Sequence, residues 1–177
     1  MNIVIIIVAV VAALLGGLFG FAATKPNSFR IQRTTRINAP PQKIFPMIND
    51  FHHWTAWSPW EQLDPNLKRK YSGAASGPGA VYDWSGNGKA GTGRMEIKDV
   101  ATGRKVVIQL DFIKPIKAQN TAEFTLSPQG ATTEVTWAMY GPSRFMSKVI
   151  SVFMNMDKLV GKDFEKGLAA LKVEAEK

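Results

Sequence analysis

The sequence predicts an α+β protein in which one antiparallel sheet packs against a long C-terminal helix, behind an apolar segment long enough to cross a membrane. Three observations carry this prediction. Residues 3–24 carry no charged side chain, alternating segments separated by turn residues fill the middle of the chain, and apolar residues recur every three or four positions from residue 145 to residue 171. The 177 residues, 45% of them apolar, are enough for one folded domain.

The first element is the apolar N-terminal segment, residues 3–24. As a helix with a rise of ~1.5 Å per residue it would be about 33 Å long, which matches the ~30 Å hydrocarbon core of a bilayer. We predict a retained transmembrane anchor over residues 1–24, a linker over 25–28 and a folded domain over 29–177. A cleaved signal peptide is the alternative, but the apolar segment exceeds the usual ~7–15 residues and no basic residue precedes it.

The charge distribution predicts which side of the membrane the folded domain occupies. The formal net charge is +8, and no acidic residue precedes Asp50, whereas five basic residues do. By the positive-inside rule this basic excess places the domain of a single-pass protein on the cytoplasmic side. We expect the basic residues to interact with an anionic bilayer rather than with nucleic acid, because the chain lacks the alternation of aromatic and basic residues that single-strand binders have.

The folded domain opens with a predicted strand and two short helices. Residues 29–37 alternate between two faces, and Ile31, Arg33 and Ile37 share one of them. Residues 38–41 (NAPP) end the strand and begin a short helix over residues 42–48, since asparagine caps helices and proline is tolerated in a first turn. A second short helix or turn follows.

Six further strands and one long helix complete the prediction. The strands are predicted over residues 67–71, 81–85, 92–100, 105–112, 121–126 and 132–140. Gly86-Asn87-Gly88 is a strong hairpin signal, and short turns throughout imply antiparallel neighbours. The long helix follows residue 143 and must bury its apolar stripe on one face of the sheet. A sheet curved around this helix would leave a hollow.

Several short segments of the folded domain occur in a characteristic order. They are residues 37–45 (INAPPQKIF), 57–60 (WSPW), 64–65, 84–86, 91–95, 133–137 and 161–168. In this order they resemble the SRPBCC superfamily, also called START-like or Bet v 1-like and related to polyketide cyclases and dehydrases. The resemblance covers about residues 29–172. It implies a helix-grip fold with a deep, mostly apolar cavity that binds lipids, sterols, polyketides or other hydrophobic molecules. Some members are cyclases or dehydratases, and the family has no universal catalytic residue.

The predicted ligand-contacting side chains are aromatic residues and methionines. Aromatic walls suit a flat or apolar ligand, and thioethers adapt to irregular shapes. We predict that the cavity is lined by Trp54, Trp57, Trp60, Tyr82, Trp84, Trp137, Met139, Phe145, Phe153 and Met156. Ordinary core packing is the alternative for each of them.

Three charged residues are candidates for a polar group inside the cavity. Arg33, on the same strand face as two isoleucines, could hold a ligand headgroup or pair with a carboxylate. Glu61 and Asp83 neighbour tryptophans and could act as a general acid or base if buried.

No metal site and no cofactor is expected from this sequence. Cysteine is absent, and the two histidines, His52 and His53, are adjacent, so they do not share a helix face. Residues 86–91 spell G-x-G-x-x-G, but a strand follows where a dinucleotide site needs a helix. We therefore predict a membrane-anchored START-like domain that binds a hydrophobic small molecule or lipid. The alternative is a cyclase- or dehydratase-like enzyme with a cavity carboxylate as acid–base, and the oligomeric state stays open.

Overall fold

The computed structural model describes residues 2–177 and contains one sheet, four α-helices and two short 3-10 helices. The α-helices are α1 (Ile3–Ala23), α2 (Pro41–Asn49), α3 (Phe145–Phe153) and α4 (Met156–Glu176). The 3-10 helices are Phe51–Ala56 and Pro59–Gln62. The strands are β1 (Ser28–Ile37), β2 (Lys68–Gly73), β3 (Ala80–Ser85), β4 (Thr92–Ala101), β5 (Lys105–Lys114), β6 (Ala118–Gln129) and β7 (Thr132–Pro142).

The seven strands form one antiparallel sheet in the order β1-β7-β6-β5-β4-β3-β2. Strands β2 to β7 follow one another as a meander, which confirms the antiparallel prediction. The first strand, β1, forms one edge of the sheet and pairs with the last strand, β7. Ile31 therefore lies opposite Met139, and Arg33 lies opposite Trp137. Alternation within a strand identifies its two faces but not its partner, and this long-range pairing was therefore not predicted.

Helix α4 packs its apolar stripe on the inner face of the sheet, which confirms the predicted α+β helix-grip architecture. Phe164 and Leu168 are fully buried there. The ring of Phe164 stacks on Trp137, with centroids 4.4 Å apart and planes 5° from parallel. Gly167 permits this close approach, since a Cβ at that position would lie 2.7 Å from the indole of Trp137.

The predicted long C-terminal helix is present as α4, but it begins at Met156 rather than soon after residue 143, because an interruption after Phe153 separates it from α3. Met154 and Asn155 have extended backbone, and the side chain of Asn155 accepts a 3.0 Å hydrogen bond from the Lys158 N–H to cap α4. The apolar spacing continues through the break, so periodicity alone does not reveal it. As a result α3 contacts α1, whereas α4 packs on the sheet.

Helix α1 is long enough and apolar enough to cross a membrane. Its side chains are almost all exposed, and Ala22 in its last turn is buried. A helix this apolar and this exposed near the N-terminus is typical of a membrane span or of a signal sequence.

Candidate ligand cavity

A cavity of about 260 Å³ lies between the inner face of the sheet, the 3-10 helices and α4. This is just below the ~300–1,000 Å³ of typical small-molecule sites. Seven of the predicted residues line it: Trp54, Trp60, Glu61, Tyr82, Trp84, Trp137 and Met139. The walls are therefore apolar and largely aromatic, with few polar groups.

Trp137 of β7 is the centre of the aromatic wall. On one side it stacks on Phe164 of α4, and on the other on Phe124 of β6 at 4.7 Å. Trp60 meets it edge-on at 5.3 Å. Aromatic side chains have few rotatable bonds, and these contacts hold each ring against another. The wall is thus largely formed before any ligand binds.

The indole N–H of Trp137 is buried without a hydrogen-bond acceptor in residues 2–177. Other indoles are satisfied by backbone carbonyls, since Trp54 donates to Ile48 and Trp84 to Ala90, each at 3.0 Å. A buried donor that lacks a partner is costly, and native structures normally supply one. Its nitrogen has almost no accessible surface although the ring borders the cavity, so a bound molecule or water reaches it only if neighbouring side chains shift.

The lining includes Ser58, Glu61 and Asp163, and Glu61, in the second 3-10 helix, is the buried carboxylate among them. Glu61 is 8% exposed, and one of its oxygens accepts a 2.6 Å hydrogen bond from the hydroxyl of Tyr82. The other oxygen accepts from the guanidinium of Arg69 on β2. Burial, together with the hydrogen bond to Glu61, raises the pKa of Tyr82 far above its ordinary value. Tyr82 thus stays a protonated donor.

Asp83 is placed outside the cavity, although its neighbours Tyr82 and Trp84 line it. Successive side chains on β3 point to opposite faces of the sheet, and Asp83 faces outward. On that face a carboxylate oxygen of Asp83 lies 3.5 Å from a guanidinium nitrogen of Arg94 on β4. The expectation that Asp83 supplies a polar group to the cavity is therefore not met.

Arg33 also lies outside the cavity lining and forms the structural ion pairs that were the alternative at the sequence level. Its guanidinium donates to Asp157 at 3.0 Å and to Glu165 at 2.7 Å, both on α4. The hydrogen bond from Arg33 holds the pKa of Asp157 below its ordinary range. Arg33 thus fastens the helix to β1 rather than binding a ligand.

Four predicted aromatic and methionine positions are also absent from the lining. Trp57 is buried in the core, where its indole donates to the carbonyl of Met47 at 3.0 Å. Phe145, Phe153 and Met156 are 49%, 72% and 41% exposed. Phe145 and Phe153 lie outside the lining because the interruption after Phe153 removes α3 from the face of the sheet.

The remaining lining residues come from strand faces, from the α4 stripe and from the loops beside β2 and β3. They include Leu67, Met95, Leu110, Phe112, Ala122, Val160 and Phe164. Alternation along β5 identifies the shared face of Leu110 and Phe112, but not that this face borders an empty space. Gly93 of β4 is a further sequence signal of the cavity wall, because a glycine within a strand marks a close approach of another group. An added Cβ at Gly93 would overlap the indole of Trp84 on the neighbouring strand.

The described residues, 2–177, contain no group of three or more His, Asp or Glu side chains arranged to hold a metal ion. The cavity itself offers an apolar enclosure, the polar side chains of Ser58 and Asp163, and the charge-compensated carboxylate of Glu61. These features are typical of a small-molecule binding fold.

Sequence comparison agrees with this class. Residues 28–176 match the family described as polyketide cyclase / dehydrase and lipid transport, and the chain belongs to that family. The resemblance to the SRPBCC superfamily is thereby confirmed. Comparison with curated proteins finds no match.

Solved structures share the fold at low sequence identity. Protein CV1439 from Chromobacterium violaceum is 14% identical, with a TM-score of 0.59 over 86% of this chain and 99% of that one. The di-domain aromatase/cyclase BexL of the BE-7585A biosynthetic pathway is 13% identical, with a TM-score of 0.64 over 89% of this chain and 53% of BexL. Aha1 from Colwellia psychrerythraea is 13% identical, with a TM-score of 0.52 over 84% of this chain and 93% of Aha1. These similarities establish the fold alone.

Proposed function

We propose that this protein is a membrane-anchored binding protein that holds a small hydrophobic molecule or part of a lipid between its sheet and α4. The observation that carries the proposal is the apolar cavity of about 260 Å³ with an aromatic wall. Burying apolar ligand surface there gains roughly 25 cal/mol per Å². The preformed wall limits the entropy that binding must offset.

The cavity walls favour a ligand that is mostly apolar and carries a hydrogen-bond acceptor. The unpartnered N–H of Trp137 would donate to that acceptor and orient the molecule once neighbouring side chains shift to admit it. The small volume favours one ring system or one acyl chain. The family description, which includes both polyketide chemistry and lipid transport, is consistent with either ligand class.

Helix α1 would keep the cavity beside a bilayer, which is a source of apolar ligands. The uncharged helix and the basic residues that follow it support a single-pass anchor with the domain on the cytoplasmic side. A tethered cavity meets membrane-derived molecules at a high effective concentration.

Native mass spectrometry of the full chain, released from detergent micelles, tests the proposal. We expect an added mass that solvent extraction identifies as an apolar molecule. Ala122→Phe, on the cavity face of β6, should abolish this mass by filling the cavity. Thr125→Phe, on the opposite face of the same strand, is the matched control and should retain it. Equal occupancy of both folded variants, or no bound molecule in the parent chain, would contradict the proposal.

An acid–base enzyme of the cyclase or dehydratase kind is the second candidate, because Glu61 is a buried carboxylate at the cavity. Both of its oxygens already accept hydrogen bonds from Tyr82 and Arg69, which favours a positioning role. Recovery of the bound molecule unchanged after incubation supports binding alone. A conversion of that molecule that disappears in Glu61→Gln would support the enzyme instead.

A further inference from the structure

We infer that α3 and the neighbouring loops dock on the surface of the bilayer that α1 enters, so that the ligand cavity faces the membrane. This inference rests on the anchor in the proposed function and adds an orientation and a contact surface to it. We call this surface the docking end, and define it as residues 24–28, 86–91, 113–117 and 143–155.

The contact between α1 and α3 determines how deeply α3 would lie in a bilayer that α1 spans. The ring of Phe19 in α1 lies 5.8 Å from the ring of Phe145, the first residue of α3. Phe19 precedes the end of α1 at Ala23 by four residues, or about 6 Å at a rise of ~1.5 Å per residue. Helices that lie in a membrane interface bury their apolar face by ~5–10 Å. If α1 spans the bilayer, α3 begins at that depth.

Hydrogen bonds also hold the short connection between α1 and β1 against α3. Lys25 donates to the carbonyl of Ser151 at 3.0 Å, and Lys148 donates to the side chain of Asn27 at 2.7 Å. The N–H of Ser143 donates to the carbonyl of Asn27, also at 2.7 Å. The domain is therefore held at one orientation relative to α1 rather than hanging on a loose tether.

The outward face of α3 is apolar. Phe145, Met146 and Phe153 are exposed, and Met154 and Leu159 extend this surface into the start of α4. The single charged residue of α3, Lys148, is instead buried toward the connection to β1. A contiguous apolar face that remains exposed on a folded domain marks a site of interaction with a membrane or with another protein.

The loops that join the strands bring more apolar side chains to the same end of the sheet. Strand pairing places Ser28 opposite Pro142, and Thr92 opposite Lys114. The start of β1, the end of β7 and the β3–β4 and β5–β6 loops therefore share one end. Ile113 and Ile116 in the β5–β6 segment are exposed there.

The charge of the docking end matches an anionic bilayer. Its four segments contain six basic residues and no acidic residue. They are Lys25, Lys89, Lys114, Lys117, Arg144 and Lys148; Lys148 is buried, and the other five are exposed or half-buried. A basic residue near an anionic membrane contributes about 1 kcal/mol to attraction. Exposed apolar groups combined with uncompensated positive charge favour lipid over a second protein chain.

The cavity borders the docking end. Ala90 lies in the β3–β4 loop, Phe112 lies two residues before the end of β5, and Val160 lies in the first turns of α4. All three line the cavity and are half-buried. A molecule leaving the bilayer could therefore enter between these segments without crossing bulk water.

Single-cysteine labelling tests this orientation cleanly, because the chain has no cysteine of its own. The full chain is reconstituted in vesicles of phosphatidylcholine and phosphatidylglycerol. An environment-sensitive fluorophore is attached at Phe153→Cys or at Ile116→Cys. Thr102→Cys and Ala131→Cys, exposed at the opposite end of the sheet, are the controls. Leu14→Cys, in the middle of α1, reports on the anchor itself.

We expect doxyl-labelled lipid to quench the fluorophore at residues 14, 116 and 153, and to leave residues 102 and 131 unquenched. Quenching at residue 14 alone would overturn the docking while leaving the anchor intact. A blue-shifted but unquenched fluorophore at residue 153 would indicate a protein partner and also overturn it. Absence of quenching at residue 14 would refute the anchor and the docking together. None of these results depends on whether the cavity holds a ligand.

Discussion

The hydroxyl of Tyr82 donates a 2.6 Å hydrogen bond to the carboxylate of Glu61 in the cavity wall. The same carboxylate pairs with Arg69 on β2, so this cluster joins a 3-10 helix to two strands. A buried charge is tolerated only when it is paired and hydrogen-bonded. The cluster therefore stabilises the loop that carries Trp60 across the cavity, in addition to giving the cavity a polar side.

Tyr82→Phe should destabilise the protein, because it removes a donor from a buried carboxylate. We expect the free energy of unfolding to fall by about 1–3 kcal/mol. Thermal and urea unfolding of the full chain in detergent micelles would measure this loss. Tyr71→Phe is the control, since Tyr71 packs against Tyr82 from β2 and is only half-buried. Equal losses in the two variants would argue against a special role for the hydrogen bond to Glu61.

Alkaline titration of the tyrosines should distinguish the folded chain from the unfolded chain. The chain has three tyrosines, and burial raises the pKa of Tyr71, Tyr82 and Tyr140 above the ordinary value of 10.0. A raised pKa favours the protonated form in the folded state, so this contribution is complete below pH 10 and declines as the pH rises further. We expect little tyrosinate absorbance in the folded protein just above pH 10, and full absorbance in urea. Identical titrations in the two states would contradict this.

The ion pairs of Arg33 should contribute to stability in a pH-dependent way. Hydrogen bonding to Arg33 lowers the pKa of Asp157 below its ordinary 3.8. This contribution is present above that value and is lost as the pH falls through the lower, folded-state pKa. Arg33→Gln should therefore lower the melting temperature at neutral pH, and the difference from the parent chain should shrink toward pH 3.

Arg36→Gln provides a matched control on the same strand. Arg36 donates to the amide oxygen of Gln129 at 2.8 Å rather than to a carboxylate. Its effect should be constant between neutral pH and pH 3. If the effect of Arg33→Gln is equally constant, the ion pair with Asp157 does not govern the acid dependence.

Gly167→Ala should destabilise the domain although alanine is the better helix former. A Cβ at this position would lie 2.7 Å from the indole of Trp137 and 3.0 Å from the ring of Pro59. Overpacking costs about 1–3 kcal/mol, against a helix-propensity gain of about 1 kcal/mol. Melting temperature and near-ultraviolet circular dichroism would report the shift of α4 and Trp137. Gly88→Ala, which meets open space, should change neither, and a more stable Gly167→Ala variant would refute the tight contact.

Local patterns in the sequence predicted much of the fold and part of the site. Period-two alternation placed the strands, and the Asn-Gly signal marked the turn between β3 and β4. Seven of the proposed lining residues reach the cavity. Tyr82, Trp84, Trp137 and Met139 do so because they lie on inward strand faces, whereas Trp54, Trp60 and Glu61 are carried there by the 3-10 helices. Trp57 and Trp54 could not be told apart, because both are buried and only the shape of the surrounding core decides which one borders empty space.

The sequence by itself determined the apolar α1, the antiparallel meander and the alternation that makes Tyr82 and Trp84 neighbours on one face. These features depend on backbone periods and on side chains close in the chain. Only the tertiary structure decided that Arg33 binds Asp157, 124 residues away, and that α3 turns from the sheet to meet α1. The physical reason is that long-range partners are chosen by packing and charge compensation between whole elements, which no local spacing encodes.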